Sequence, residues 1–236
     1  MIKLLTKTTF FTLLLSSITL ISKAQVGYDY AQYDIGFGGS VNQLYGDAES
    51  LKSTVAANVS FIYNQTPFVN YLVELQNGTL EGGNRKSKSG RYFKNGYTSI
   101  LFRGQLQAGE LIDYSGGGLM NIAKNFYLST GFGYIFNKID EKNINRISNT
   151  TPEFTTAGLN KSNELYIPAR IGYEFKIFNK YNQPSIKIDL AYQFNMDLTD
   201  NMDGFTAGSS NDKLVQYSLG VKFALGDVIS YRKSIN

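Results

Sequence analysis

Apolar and polar residues alternate with a period of two over long stretches of this chain, and the pattern recurs eight times. In the last stretch Val215, Tyr217, Leu219, Val221, Phe223 and Leu225 alternate with Gln216, Ser218, Gly220, Lys222 and Ala224. Before it, Ile186, Ile188, Leu190, Tyr192, Phe194 and Met196 alternate with Ser185, Lys187, Asp189, Ala191, Gln193 and Asn195. Similar runs cover residues 33–41, 55–63, 69–76, 100–108, 126–137 and 164–175. Successive side chains of a strand point to opposite faces, so each run predicts a strand with one apolar and one polar face.

The predicted strands are about nine to thirteen residues long, above the five or six usual in soluble sheets. That length matches the nine to eleven residues a tilted strand needs to cross a bilayer. The connections alternate in kind. Gln65, Thr66 and Pro67 make one tight turn and residues 179–184 another, whereas residues 42–53, 81–96, 138–163 and 197–212 are long and polar. Short periplasmic turns and long external loops are the asymmetry of an outer-membrane barrel. Residues 109–125 are the exception, long for a periplasmic turn. They carry Leu111, Ile112, Leu119, Met120 and Ile122 among glycines, so this turn either caps the barrel base or docks a periplasmic partner. The expected fold is all-β, an eight-stranded antiparallel up-and-down transmembrane β-barrel. A soluble sandwich or lipocalin-like barrel also alternates but turns its apolar faces inward.

Eight strands leave an interior just wide enough for side chains to fill. The expected inward charges are Asp34, Glu74, Arg103, Arg170, Glu174, Lys187, Asp189 and Lys222. Four acids against four bases predict a network of paired charges across the lumen, because buried charges are costly unless paired. A conducting or gated pore is the alternative. Gly36, Gly38, Gly131, Gly133 and Gly220 lie at inward positions and are expected to admit close lumen neighbours.

Composition narrows the chemistry. The chain has no cysteine and no histidine, which excludes disulfides and thiolate metal sites and removes the commonest general base. Lys3 and Lys7 precede an apolar stretch at 10–21, and Ser22, Lys23 and Ala24 complete a signal-peptide pattern. The expected organisation is therefore a signal peptide at 1–24 and one barrel domain at 25–236. Without Lys3, Lys7 and Lys23, the 23 basic residues fall to 20 against 19 acids, so no field for nucleic acid remains.

Three further features bear on function. Arg85, Lys86, Lys88, Arg91 and Lys94 form a basic external loop, either simply solvated or facing lipopolysaccharide phosphates. Asp197, Asp200, Asp203 and Asp212 invite a calcium reading, but the order Asp200, Asn201, Met202, Asp203, Gly204 does not follow a calcium loop and no closing Glu follows. No nucleophile, base and orienting group converge, and no cofactor is expected. A lipid-acting enzyme is the remaining catalytic alternative.

Several motifs resemble those of eight-stranded, OmpA-like outer-membrane barrels of Bacteroidota type. They are Ala24-Gln25, Tyr33-Asp34-Ile35-Gly36-Phe37-Gly38-Gly39, Tyr92-Phe93-Lys94-Asn95, the run from Phe126 through Gly131 and Gly133 to Tyr134, Ile167-Pro168-Ala169-Arg170-Ile171-Gly172-Tyr173, and Gly220-Val221-Lys222-Phe223. The layout is also similar to the small barrel associated with type IX secretion. The resemblance implies Phe223 as the aromatic read by the barrel-assembly machinery and outer-membrane lipid, including lipopolysaccharide, as surroundings. It also implies a non-enzymatic structural or interaction role, with a periplasmic or secretion-apparatus protein as a further partner.

Overall fold

A computed structural model describes residues 25–207 and 210–234 of the chain; the expected signal peptide at 1–24 lies outside the described residues. Eight long strands make the wall: β1 (Gln25–Tyr45), β2 (Ser53–Asn64), β3 (Val69–Gly83), β4 (Tyr92–Gln107), β5 (Phe126–Lys138), β6 (Lys161–Phe178), β7 (Pro184–Asp197) and β8 (Lys213–Ser234). Each pairs antiparallel with its sequence neighbours, and β1 pairs with β8, which closes the ring. A two-residue strand, Ile144–Asn145, adds to the outer end of β4. A short helix, α1 (Gly118–Ala123), lies in the long connection between β4 and β5.

The register fixes the geometry. Stepping from Tyr33 through its partners Tyr63, Tyr71, Gly104, Thr130, Ala169, Phe194 and Val215 returns to β1 at Gln43. Residue 33 to residue 43 is a stagger of ten. With a rise of roughly 3.3 Å per residue and strands about 4.8 Å apart, that stagger tilts the strands by about 40°.

Outside, the period-two faces present an apolar belt. Phe37, Val59, Phe61, Val73, Leu75, Phe102, Leu128, Phe132, Leu190 and Leu219 are all exposed. On β6 the outward row runs from Leu165 to Ile177. At the same rise and tilt it spans about 30 Å, the depth of a bilayer's hydrocarbon core. Aromatic side chains gather at both ends of the belt, with Tyr33 stacked on Phe61 and Tyr134 against Phe136. A closed wall with a greasy outside satisfies all its backbone groups internally, as lipid demands. Among the described residues, no helix is long and apolar enough to cross a membrane.

The strands exceed their expected limits at several ends. β3 and β4 continue above the belt to Gly83 and from Tyr92, so half of the loop expected at 81–96 is wall. β1 and β8 continue below it as a two-stranded ribbon, with Gln25 opposite Ser234. Alternation did not reveal this ribbon because a bulge interrupts the phase. Ala31 faces Val228 whereas Tyr33 faces Leu225, so β8 carries one extra residue there. Gly226 supplies the left-handed φ of 80° at this point. Past the bulge the odd residues of β8, Tyr231 and Lys233, turn under the barrel, where even residues such as Lys222 faced the lumen before it.

Candidate functional site

Near the periplasmic end three lysines stand side by side on neighbouring strands. Lys176 of β6 is paired with Lys187 of β7, and Lys187 with Lys222 of β8. Like charges directly opposed destabilise a sheet, so the row requires counter-charges, and the next inward row holds Glu174 opposite Asp189. Lys222 Nζ lies 2.7 Å from Asp189 and also bonds Glu174. Lys187 Nζ reaches Asp34 on β1 at 2.5 Å. Lys176 donates to Gln107 Oε1 at 2.7 Å and to the Pro67 carbonyl at 3.0 Å. Higher up, Arg170 meets Asp189 at 2.9 Å and Arg103 meets Glu74 at 2.5 Å.

All eight charges expected in the lumen line it. They form one four-membered cluster (Arg170, Asp189, Lys222, Glu174) and two separate pairs. The expected balance of four and four needs a correction: Lys176 is a fifth inward base, and Glu164 and Asp197, buried at the outer end of β6 and β7, are two further inward acids. The expected strand ends at Phe175, while β6 runs on to Phe178.

The cluster depends on a missing side chain. Gly172 lies opposite Tyr127, and the phenol ring occupies the space above the glycine. Tyr127 OH thereby reaches Asp189 at 2.9 Å and accepts from Arg170 Nε at 2.9 Å. A Cβ on Gly172 would stand 2.5 Å from Tyr127 Cζ and 2.7 Å from the Leu190 carbonyl.

Above the charges lies a layer of amides. Gln193 Nε2 donates to Asn195 and Gln216, and Gln216 Nε2 donates to Asn42 and Gln76. Gln76 Nε2 donates to Glu74, and Gln193 Oε1 accepts from Arg103, so the amide and charge layers are one network. A cavity of about 20 Å³ within it is bounded by Ser60, Glu74, Arg103, Arg170, Asp189 and Lys222. That volume holds about one water molecule.

The inward face is not polar throughout, as alternation alone implied. Leu44, Leu80, Phe93, Leu101, Ile135, Tyr166 and Leu214 face inward at the outer end and form an apolar core with Met202 and Phe205. Met202 and Phe205 come from the loop at 198–212, and both are fully buried. Phe205 meets Phe93 edge to face, with ring centroids 6.1 Å apart. The loop thus folds back as a stopper in the barrel mouth.

The acidic run of this loop holds the stopper in place. Asp212 Oδ2 accepts from the backbone N–H of Met202 at 2.7 Å and of Asp203 at 3.2 Å. Asp203 accepts from the N–H of Phe205 at 2.8 Å and of Asp47 at 2.7 Å. Burial pushes the Asp203 carboxyl up to about 7 and that of Asp212 up to about 9, with the neighbouring acids adding to both shifts. Among the described residues, no group of three or more acidic side chains could hold a metal ion. The aspartates serve as backbone acceptors.

A second closure lies at the periplasmic end. Phe68 is fully buried between Tyr114 and Tyr231, with ring centroids at 5.5 and 6.4 Å. Lys233 Nζ donates to the carbonyls of Gly109, Glu110 and Ile112, and Tyr231 OH donates to Glu110. The ribbon of β1 and β8 therefore clamps the long β4–β5 connection beneath the lumen, and part of that connection caps the base.

The expected basic loop is only partly a solvated surface. Arg91 is half-buried and donates to Asp47 O at 2.9 Å and Thr156 Oγ1 at 3.2 Å. Arg85 donates to Lys142 O and stacks on Tyr92, and Lys94 lies 3.9 Å from Glu81. Lys86 and Lys88 are exposed. Further bonds join Arg146 to Gly204 O and Asn149 to the carbonyls of Arg85 and Ser87, so the four outer loops interlock. Phe223 faces outward on β8 between Ile35 and Ile186. Sequence reasoning missed Met202 and Phe205, whose signal was two large apolar residues inside a polar loop.

No family model and no curated protein matches the chain. Solved structures that resemble it include Ail, the attachment invasion locus protein of Yersinia pestis, at 12% identity and a TM-score of 0.44, over 86% of this chain and 99% of that one. Neisserial surface protein A is similar at 11% identity and a TM-score of 0.47, over 86% and 100% of the two chains. The outer membrane protein OprG from Pseudomonas aeruginosa is similar at 12% identity and a TM-score of 0.37, over 84% and 99%. At these identities and scores, the functional reading rests on this chain's own geometry.

Proposed function

We propose that this protein is a sealed outer-membrane barrel with a structural or interaction role, acting through its interlocked outer loops rather than through its lumen. The filled interior carries this reading. An apolar stopper, an amide layer, an ion-pair network and an aromatic floor follow one another, and the cavity within the network measures about 20 Å³. A pore for ions or solutes needs a continuous wet path, which this stacking interrupts at both ends.

The outer rim supports lipopolysaccharide as a neighbour. Lys138 and Lys161 lie directly opposite each other on the outward face at the top of β5 and β6, both exposed. Two opposed lysines at that height favour a bridging anion, and lipid phosphates of the outer leaflet supply one. Phe223 is accessible from the lipid side as an assembly signal. A secretion-apparatus partner of the type IX kind remains part of the proposal on the motif resemblance alone, with the outer loops as the surface offered to it.

Planar-bilayer recording of the purified mature protein tests the sealed lumen. The expected result is a baseline without stepwise currents across the usual voltage range. Stable steps whose size changes when Lys222 or Arg103 is replaced by Ala would overturn it.

A further inference from the structure

The connection between β4 and β5 ends in α1, and among the described residues none buries any residue of that helix. Leu119 is 76% exposed, Met120 and Ile122 are also exposed, and none of the six helix residues is buried. At helical spacing Leu119, Met120 and Ile122 share one broad face, whereas Asn121 points the other way. So short a helix has little stability of its own in water.

Its position is fixed by the outside of the barrel. Tyr173 OH, on the lipid-facing side of β6, donates to the Ile122 carbonyl at 3.1 Å. Tyr173 packs edge to face on Phe126 at 4.7 Å and on Phe175 at 4.6 Å. Phe126 and Phe175 are exposed beside it, and Ile177 farther along the same outward row is exposed as well. The apolar face of α1 therefore continues the belt at its periplasmic end.

We infer that α1 is a membrane-surface foot: Leu119, Met120 and Ile122 sink into the headgroup–acyl boundary of the phospholipid leaflet while Asn121 stays in water. The inference rests on the reading of the belt as lipid-facing, since the foot extends that surface. An interfacial helix of this kind binds through its apolar face without spanning the bilayer. Anchored beside β5 and β6, it would hold the clamped connection, and with it the aromatic floor, against the lumen.

The test exploits the absence of cysteine in the chain. Single variants Leu119→Cys, Ile122→Cys, Asn121→Cys and Leu219→Cys of the mature protein are spin-labelled and reconstituted into phosphatidylcholine vesicles containing a quarter phosphatidylglycerol. Collision with oxygen, which concentrates in lipid, is compared with collision with a water-soluble nickel chelate. The expected oxygen-to-nickel ratio is several-fold higher at 119 and 122 than at 121, and highest at 219 in the middle of the belt. A water-like ratio at 119 and 122 with a lipid-like ratio at 219 overturns the foot and leaves the helix as a protein-docking face. A water-like ratio at 219 overturns the membrane barrel itself.

Discussion

Asp189 offers the sharpest test of the filled lumen. Its carboxylate, 2% exposed, receives Arg170, Lys222 and the Tyr127 hydroxyl at 2.9, 2.7 and 2.9 Å. Asp189→Asn keeps the shape and removes the charge. Arg170 then loses its counter-charge and keeps hydrogen bonds to Tyr127, Gln193 and at most the remaining amide oxygen, while Lys222 keeps Glu174. Breaking a buried pair by neutralising one partner costs about 3–5 kcal/mol, because the other charge stays buried. Arg170→Met removes the charge that loses most, so the double variant should be less unstable than the sum of the singles, by about 2 kcal/mol. Lys52→Ala is the control: Lys52 is 42% exposed in its bridge to Glu81, and such surface pairs contribute about 1 kcal/mol or less. With no tryptophan in the chain, urea unfolding in lipid vesicles is followed by far-ultraviolet circular dichroism and by the gel mobility of the folded barrel. If Asp189→Asn stays within about 1 kcal/mol of the parent, or the cycle shows no coupling, the network is not dry and the reasoning fails.

Other consequences are as direct. Gly172→Ala should push Tyr127 off Asp189, since the Leu190 carbonyl blocks the opposite movement; a destabilisation of about 1–3 kcal/mol is expected for overpacking, and full stability would show that the ring has room. The outer stopper should loosen as pH rises. Asp203 and Asp212, raised to about 7 and about 9 from an ordinary 3.8, hold protons in the docked loop that they lose in an undocked one. Their contribution is thus fully present below about pH 4 and lost as pH climbs through 7 to 9. Asp47 and Asp200 reinforce the shift, while Arg146 lies near enough for Asp203 to act on it. Proteolysis within 198–212, normalised to the unfolded chain, should be faster at pH 9 than at pH 5. Asp212→Asn retains the oxygen that accepts from Met202 and Asp203 and should flatten that dependence; an unchanged profile would count against it. Phe205→Ala should expose the same loop while bilayers remain silent, because the ion-pair layer lies beneath it.

Period-two patterning made the wall legible, since a strand with lipid on one side and a closed interior on the other must alternate. The inward charges could be read for the same reason. Their grouping could not, because it depends on the stagger around the ring, which places Lys176, Lys187 and Lys222 in one row. The apolar stopper announced itself only as breaks in the pattern. Leu80, Leu101, Ile135 and Leu214 occupy inward positions, and each followed a polar phase that alternation treats as noise. The ribbon below the belt escaped because a single added residue at Gly226 reverses which side chains face inward. The role of Asp203 and Asp212 as acceptors for backbone N–H groups was not legible, because sequence spacing carries no trace of such partners.

The seam between β1 and β8 joins segments from opposite ends of the barrel and holds twenty facing residues, against nine to fifteen at the other seven seams. Bringing distant segments together grows more costly only with the logarithm of their separation, so this fastener is longer than closure entropy alone requires. Its surplus pairs lie beyond the belt, and the extra residue at Gly226 lets them mesh in a single alignment. A slip of one residue would turn every greasy side chain of the last strand inward. The portion outside the bilayer thus works as a key, committing the two edges to the right alignment independently of the part that lies in fat.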